Sequence, residues 1–196
     1  MSKSYSRLNT VAVTLETPIC RYNQGLPDKV SMDDPAVNVM SDFRKVKVVT
    51  VAPSVRIDDA LQKMIHAEVR LLIVTDGQDH VLGLITARDI MGEKPVNYIS
   101  RERVSRNEIL VSHIMTPREE IEALSLADVY SHRVGDIVAT LRESQRQHAL
   151  VLDDDAQSGK VIRGIFSITQ IGRQLGVEIQ ATGLVQSFAE IEALLA

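Results

Sequence analysis

The alternation of apolar and polar residues predicts strands and helices in an order that recurs along the chain. Short apolar runs typical of strands occupy residues 46–51, 71–75, 81–85, 121–126, 149–152 and 161–166. Apolar residues at 57, 60, 61, 64 and 65, and again at 134, 137, 138 and 141, have the spacing of one helix face. The chain therefore mixes short strands with amphipathic helices.

Capping and turn residues divide these elements. Asp34 before Pro35 predicts an N-cap and a short helix through about Met40. A capping box at 105–108 predicts another helix, which ends where Pro117 follows. The helix that opens after residue 86 is expected to close near residues 92–95, and polar residues at 167–170 open a further helix.

Corresponding positions recur in the two halves of the chain. Met40-Ser41 matches Met115-Thr116, Val74 matches Val151, and Gly83 matches Gly164, with separations of 75 to 81 residues. The separation grows in loops, where insertions cost little. Two small α+β repeats of this kind cannot each bury much surface alone, so we expect them to pack together and to leave a cleft between them.

The resulting division of the chain has five parts. We expect an N-terminal arm at 1–35, with a strand candidate at 11–15, a first repeat at 36–98, a linker helix region at 99–113, a second repeat at 114–176 and a C-terminal amphipathic helix at 177–196. The arm is broken by proline and glycine and is too short for a core of its own.

Composition narrows the class of protein. The 196 residues are 44% hydrophobic and 24% charged, with a net charge of -4, which is ordinary for a globular protein and gives no general attraction for nucleic acid or an anionic membrane. No apolar run approaches the ~18 residues of a membrane span. Cys20 is the single cysteine, so no internal disulfide forms. We expect a cytoplasmic protein.

The richest chemistry lies where the run at 81–85 meets the following helix. Gly83 allows a close approach to the strand, and Thr86 and Asp89 are three residues apart, on one side of a first helical turn. Free N–H groups and the helix dipole there favour phosphate, while a carboxylate can hold a ribose diol. The alternative is that Thr86 is simply an N-cap and Asp89 a first-turn partner of the dipole.

These motifs give the chain a resemblance to a known family. The run RLLIVTD at 70–76 followed by GLITARD at 83–89, and the second copy HALVLD at 148–153 followed by GIFS at 164–167, resemble a tandem pair of CBS domains, the module named after cystathionine β-synthase. The resemblance covers about residues 36–176 and implies an α+β fold of two β-α-β-β-α repeats packed as a pseudo-two-fold pair, the Bateman module.

The resemblance also implies ligands. Such pairs commonly bind AMP, ADP, ATP, S-adenosylmethionine or NAD in two clefts, with no cofactor required. It maps the phosphate and ribose roles onto Thr86 and Asp89. The remaining contacts it implies at this first site are Gly83, Arg88, Thr50, Val51, Arg146 and His148. The alternatives are solvated surface charge for the basic residues and plain core for the strand at 49–51.

The second copy departs from this pattern. Ser167 keeps the hydroxyl, but Gln170 stands where the carboxylate is expected, and Arg70 is a further candidate contact. An amide bonds two hydroxyls more weakly than a carboxylate does. We therefore expect the Thr86 and Asp89 cleft to be the occupied one and the second to be weaker or empty.

Other constellations add little. The five histidines have no metal-ligand spacing, and no phosphate-binding loop, dinucleotide fingerprint or nucleophile turn is present. The carboxylates at 153–155 could hold a hard cation, or form a solvated turn. The resemblance thus implies a non-catalytic nucleotide sensor, an AMP or ATP sensor that forms a homodimer and regulates an unidentified protein. The alternative is a ligand-free scaffold for dimerisation or protein interaction.

Overall fold

The structure, a computed structural model, describes residues 6, 9–14, 25–155, 159–177 and 179. It is a mixed α+β fold. The strands are β1 Ser41–Asp42, β2 Thr50–Val51, β3 Leu71–Thr75, β4 Val81–Thr86, β5 Thr116–Pro117, β6 Ala123–Ser125, β7 His148–Asp155 and β8 Gly159–Ser167. The α-helices are α1 Ile57–His66, α2 Ala87–Met91, α3 Glu93–Glu102, α4 Val111–Ile114, α5 Leu126–Ser131, α6 Val134–Glu143 and α7 Ile168–Leu175, and 3-10 helices cover Ala36–Val39, Arg106–Glu108 and Arg118–Glu120.

The strands form two sheets of four, with the same arrangement in each. The order is β2-β3-β4-β5 in the first unit and β6-β7-β8-β1 in the second. In each sheet the first strand runs parallel to the second, a pairing that requires a crossover connection, here a helical one, and the next pair is an antiparallel hairpin. The predicted pair of α+β repeats is confirmed.

The outer strand of each sheet comes from the stretch of chain that leads into the other unit. β1 pairs with β8 of the second unit, and β5 pairs with β4 of the first. The 3-10 helix Ala36–Val39 and Met40 also lie in the second core, although they precede the first unit in sequence. A division of the chain at residue 36 therefore follows the sequence order but not the packing.

The repeated glycines explain this exchange of strands, in which β1 and β5 each pair with the sheet of the other unit. A Cβ added at Gly83 would overlap the backbone carbonyl of Thr116 in β5, and one added at Gly164 would lie 2.6 Å from the carbonyl oxygen of Ser41 in β1. The sulfur of Met115 lies against the first glycine and that of Met40 against the second. Each Met-Ser/Thr pair thus enters a groove that only a glycine leaves open.

Each unit has its own apolar core. In the first unit the predicted face of α1, with Ile57, Ala60 and Met64, packs on β3 and β4. In the second unit Val138 and Leu141 of α6 are fully buried and pack in the same way. Both helices lie where the apolar spacing predicted them, because that spacing describes the face each sheet covers.

A partly buried ion network fixes β1 to the second unit. The guanidinium of Arg163 donates to both oxygens of Asp42, at 2.8 and 2.9 Å, and to Asp153 at 3.1 Å. The paired guanidinium lowers the pKa of Asp42 and the carboxylates raise that of Arg163. The acidic run at 153–155 therefore contributes to structure: Asp155 accepts a hydrogen bond from Arg44 at 3.2 Å.

Several local predictions need correction. The helix after Pro35 is a four-residue 3-10 helix, and the Asp34 carboxylate accepts the N–H of Ser31 rather than capping it. The strands predicted at 46–51 and 121–126 shorten to β2 and β6. Pro95 does not end a helix but lies in the first turn of α3, where no N–H is needed. Residue 15 of the strand candidate and the C-terminal helix beyond 179 lie outside the described residues, while 11–14 form no strand.

Candidate functional site

Thr86 and Asp89 form a complete capping box at the start of α2. The N–H and the hydroxyl of Thr86 donate to Asp89 Oδ2 at 2.8 and 2.7 Å, and the Asp89 N–H donates to Thr86 Oγ1 at 3.2 Å. The other oxygen of Asp89 pairs with the ammonium of Lys94 at 2.8 Å. The capping alternative is therefore present in the structure, and both carboxylate oxygens have partners before any ligand arrives.

These two residues line a cavity of about 310 Å³, which we call the small cleft. It brings together five of the predicted contacts, Thr86, Arg88, Asp89, Arg146 and His148. The rest of its wall comes from β3 and β4, from residues 116–122 that lead into β6, and from residues 145–150. The topology explains this set, because β5 carries the chain across the first unit before it enters the second.

The small cleft holds more acidic than basic groups. Its carboxylates are Asp89, Glu120 and Glu122, and its guanidinium groups are Arg88 and Arg146. Arg146 pairs with Glu122 at 3.0 Å. The positive charge that the sequence assigned to phosphate is thus partly neutralised by a neighbouring carboxylate.

Three of the predicted contacts do not line the small cleft. Thr50 and Val51 pair with Ile73 and Val74 in the sheet, and Val51 is buried in the first core. The lack of a side chain at Gly83 makes room for the Thr116 carbonyl. The core alternative accounts for Val51, and the close approach predicted at Gly83 is made by the chain itself.

A cavity of about 1080 Å³, the large cleft, lies between the two units. It brings together all three residues predicted for the second site, Ser167, Gln170 and Arg70. Its apolar wall includes Val46, Val48, Val49, Leu61, Met64, Val69 and Ile73. The segment that carries the chain from β1 into the first unit forms one side, as residues 116–122 do in the small cleft.

Several polar groups of the large cleft bond to each other, one pair within the second unit and one pair across the two units. Ser41 donates its hydroxyl to Gln170 Oε1 at 3.0 Å, and Arg70 donates to the hydroxyl of Thr169 at 3.3 Å. Ser167 is the N-cap of α7, but its side chain makes no capping hydrogen bond. In contrast to Thr86, the Ser167 hydroxyl is not committed to the helix.

Four cationic side chains line the large cleft. They are Lys45, Lys47, Arg70 and Arg173, and none of them makes an ion pair with any residue in the described part of the chain. Lys45 is close enough to lower the pKa of Asp42, which Arg163 already binds. Among the described lining residues the carboxylate is that of Glu68. A cavity with this excess of unpaired positive charge favours an anion.

Sequence reasoning missed Lys45, Lys47, Thr169 and Arg173 as site residues. Thr169 and Arg173 lie on α7 two and six residues beyond Ser167, and a helical projection of that segment would have found them. The two lysines precede β2 of the first unit but face the second unit's motif. That assignment depends on the exchange of β1 and β5, for which the sequence carries no local signal.

His148 belongs to both clefts. It begins β7, lies opposite Ser167 in the hairpin and lines the large and the small cleft alike. Its Nδ1 is buried and has no hydrogen-bond partner among the described residues. Burial, together with the charge of Arg70, lowers the pKa of His148 to about 4 against the opposing effect of Asp89. The imidazole is therefore neutral at pH 7.

Two other kinds of site find no support in the part of the chain that the structure describes. No cluster of three histidine, cysteine or acidic side chains that could hold a metal ion occurs there. No described helix has the length and apolar character needed to cross a membrane.

The fold and the paired clefts define a class of protein, a tandem α+β repeat with ligand-sized cavities at the contact between its units. Comparison with known families agrees. Residues 32–95 match the family model of the CBS domain. These residues match a CBS domain, and the second unit repeats the topology of the first, which is consistent with a tandem CBS pair.

The solved structures that this chain is similar to are distant in sequence. An uncharacterised conserved protein from Pyrococcus horikoshii is 21% identical with a TM-score of 0.53, covering 77% of this chain and 98% of its own. A CBS-domain containing protein from Agrobacterium tumefaciens is 23% identical with a TM-score of 0.49, covering 65% and 84%. The CBS-pair protein CBSX2 from Arabidopsis thaliana is 22% identical with a TM-score of 0.47, covering 72% and 93%. CBSX2 has also been solved in complex with AMP.

Proposed function

We propose that this protein is a non-catalytic regulatory module that binds an adenosine-containing nucleotide between its two units. The observation that carries the proposal is the large cleft, which joins an apolar wall to four cations without ion-pair partners in the described chain. The apolar wall suits the adenine base, and the cations suit the phosphate groups. The volume of about 1080 Å³ suffices for a nucleotide.

Different residues of the large cleft bind different parts of the proposed nucleotide. Arg70 and Arg173 supply guanidinium groups, which bind phosphate oxygens in pairs, and the two lysines add charge without fixed geometry. The Ser167 hydroxyl can donate to the same phosphate because no cap employs it. The base lies against the apolar segment at 46–49, which lines this cleft.

Binding in this position supports regulation. The cleft walls come from both units and from the segment that joins β1 to β2, so a bound ligand contacts both units at once. A ligand that contacts one arrangement of the units better than another shifts the protein toward it. A partner protein that recognises that arrangement then responds to nucleotide concentration.

The small cleft remains a second proposed site. Its supporting features are the Thr86 and Asp89 pair, which the resemblance assigns to phosphate and ribose, and the presence of Arg88, Arg146 and His148 in one cavity. For a nucleotide to bind there, the ribose would have to replace Lys94 at the Asp89 carboxylate. We therefore place the tighter site in the large cleft.

Isothermal titration calorimetry and thermal melting with AMP, ADP, ATP, S-adenosylmethionine and NAD test the proposal. A ligand at 100 times its dissociation constant stabilises the fold by about 2.7 kcal/mol, which a melt detects. We expect binding that Arg70→Ala and Ser167→Ala weaken and Asp89→Asn leaves nearly unchanged. Lys63→Gln, which alters a cation on α1 outside either lining, is the matched control.

The outcomes separate the candidate functions. Binding lost in Asp89→Asn and kept in Arg70→Ala assigns the ligand to the small cleft. No binding of any of the five ligands overturns the proposal and favours the ligand-free interaction scaffold, which the neutral side chain at Gln170 and the preformed partners of Asp89 support.

We further propose a homodimer and a cytoplasmic site of action. Ile65 of α1 and Met91 of α2 are 59% and 68% exposed, an apolar pair near the large cleft that a second copy would cover. Light scattering after size exclusion, with Ile65→Lys as the disrupting variant, tests the dimer. A monomeric mass for the unaltered protein would contradict it.

A further inference from the structure

The polar lining of the large cleft consists almost entirely of hydrogen-bond donors and cations. The ammonium and guanidinium groups of Lys45, Lys47, Arg70 and Arg173 donate and cannot accept. The acceptor oxygen of Gln170 already receives a hydrogen bond from Ser41, which uses one of its two lone pairs, and its NH₂ group can donate to a ligand. Among the described residues of this lining, Glu68 carries the sole carboxylate.

A ribose diol is poorly matched to such a lining. Two neighbouring hydroxyl groups are held best by a carboxylate, which accepts from both, and the corresponding residue of the small cleft, Asp89, is a carboxylate. A carboxylate also repels any phosphate carried on the ribose. The neutral Gln170 neither accepts strongly from the two ribose hydroxyls nor repels a phosphate. The diol therefore adds little to the binding affinity, and an additional phosphate on the ribose does not reduce it.

Arg173 strengthens this difference. It lies three residues after Gln170 on α7, so both side chains occupy the same side of the helix, and both line the large cleft. Proteins distinguish dinucleotide cofactors in two established ways: an acidic residue binds a ribose hydroxyl, or an arginine binds a ribose phosphate. Gln170 and Arg173 together resemble the second arrangement.

We propose that the large cleft selects nucleotides by their number of phosphate charges and not by the ribose diol. Its ligand class is nucleotides with two or more phosphates, whether in a chain on one ribose carbon or on two carbons. S-adenosylmethionine is disfavoured in this cleft, because it has no phosphate and its net charge is positive, like that of the four cations. This inference rests on the proposed function, since it names the ligand of the same site.

Calorimetric titrations without Mg²⁺ compare ATP, AMP, 2'-deoxy-ATP and adenosine 3',5'-bisphosphate. We expect ATP and the bisphosphate to bind at least about tenfold more tightly than AMP, since each further charged hydrogen bond is worth about this much. The dissociation constant of 2'-deoxy-ATP should lie within about threefold of that of ATP, because no carboxylate is expected to accept a hydrogen bond from the 2'-hydroxyl.

Gln170→Asp is the decisive variant. This variant should bind ATP about tenfold more tightly than 2'-deoxy-ATP, and it should no longer bind the bisphosphate more tightly than AMP. Lys63→Gln should alter neither ratio. Melting curves of the ligand-free variants show whether each is folded, and Gln170→Asn, which keeps an amide, should retain the ratios of the unaltered protein.

Two results overturn this inference while leaving the proposed function intact. One is AMP binding as tightly as ATP. The other is an unaltered protein that binds 2'-deoxy-ATP tenfold more weakly than ATP, since a diol would then be recognised after all. Failure of all four compounds to bind overturns the inference, and only the further failure of ADP, S-adenosylmethionine and NAD overturns the proposed function.

Discussion

The two clefts occupy corresponding positions of the two repeats, yet they differ in size, charge and freedom of their polar groups. The small cleft has about 310 Å³, more carboxylates than cations, and a threonine and an aspartate that bind each other. The large cleft has about 1080 Å³, four cations and an uncommitted serine. A motif that matches the family pattern can therefore cap a helix, and we propose the copy that departs from the pattern as the better ligand site.

The largest expected effect is the loss of nucleotide affinity when the charge of the large cleft is reversed. Replacing Arg70 and Arg173 together by glutamate should weaken ATP binding by at least about 100-fold, because two charge-assisted contacts become repulsive. The same change at Arg88 in the small cleft should alter affinity less than about threefold. Calorimetry at fixed salt measures both, and equal losses would erase the distinction between the clefts.

The glycines that admit the exchanged strands should be equally sensitive. Gly83→Ala and Gly164→Ala each push a methyl group into a backbone carbonyl, so each should lower the free energy of unfolding by about 1–3 kcal/mol. Gly77→Ala is the control, since a Cβ there meets nothing within 4 Å. Urea denaturation checks all three. A neutral effect at only one of the paired positions would show that one strand exchange is dispensable.

His148 should make stability depend on pH. Its pKa of about 4 in the folded protein lies below its ordinary value of 6.5, so between these values the unfolded chain binds more protons. Stability is therefore retained above about pH 6.5 and falls by about 3 kcal/mol by pH 4.

Two variants isolate that pH effect by urea denaturation at a series of pH values. His148→Gln should remove this component of the dependence. Asp89→Asn removes the carboxylate that raises the pKa of His148, so it should deepen the loss at low pH. An unchanged profile in both variants would mean that His148 is not the titrating group.

The smallest expected effect distinguishes the hydroxyl of Thr86 from the hydroxyl of Ser167. Thr86→Ala removes a capping box and should destabilise the protein by about 1 kcal/mol, with little change in ATP affinity. Ser167→Ala removes no cap and should leave stability within about 0.5 kcal/mol, while ATP binding weakens. Melting and calorimetry on the same samples test this pair. The reverse pattern would make Thr86 the ligand contact.

Much of the fold was predictable from local pattern. The faces of α1 and α6 followed the apolar spacing, the hairpins followed the apolar runs, and Thr86 is the N-cap that its position indicates. The residues at 105–108, in contrast, open a 3-10 helix of three residues and not the longer helix that was predicted. The repeat of Met-Ser/Thr and of glycine also pointed to two matching units. These features depend on residues within one or two turns of each other, which is why sequence reveals them.

The candidate site was predictable only in part. Ser167, Gln170 and Arg70 were expected together and line one cavity, but their cleft was expected to be the weaker. The ranking used the identity of one residue, Gln170, and could not include Lys45 and Lys47, which reach this cleft from the segment leading into the other unit.

The sequence by itself determined two α+β repeats, their helix faces and the chemical character of each motif, since these follow from neighbouring residues. Only the tertiary structure decided which segments face which motif. β1 and β5 each join the sheet of the other unit, and that exchange brings Lys45 and Lys47 to Ser167 and brings Glu120 and Glu122 to Asp89. The physical reason is that the charge of a cleft is a sum over strands distant in sequence, and the strand pairing fixes which charges enter that sum.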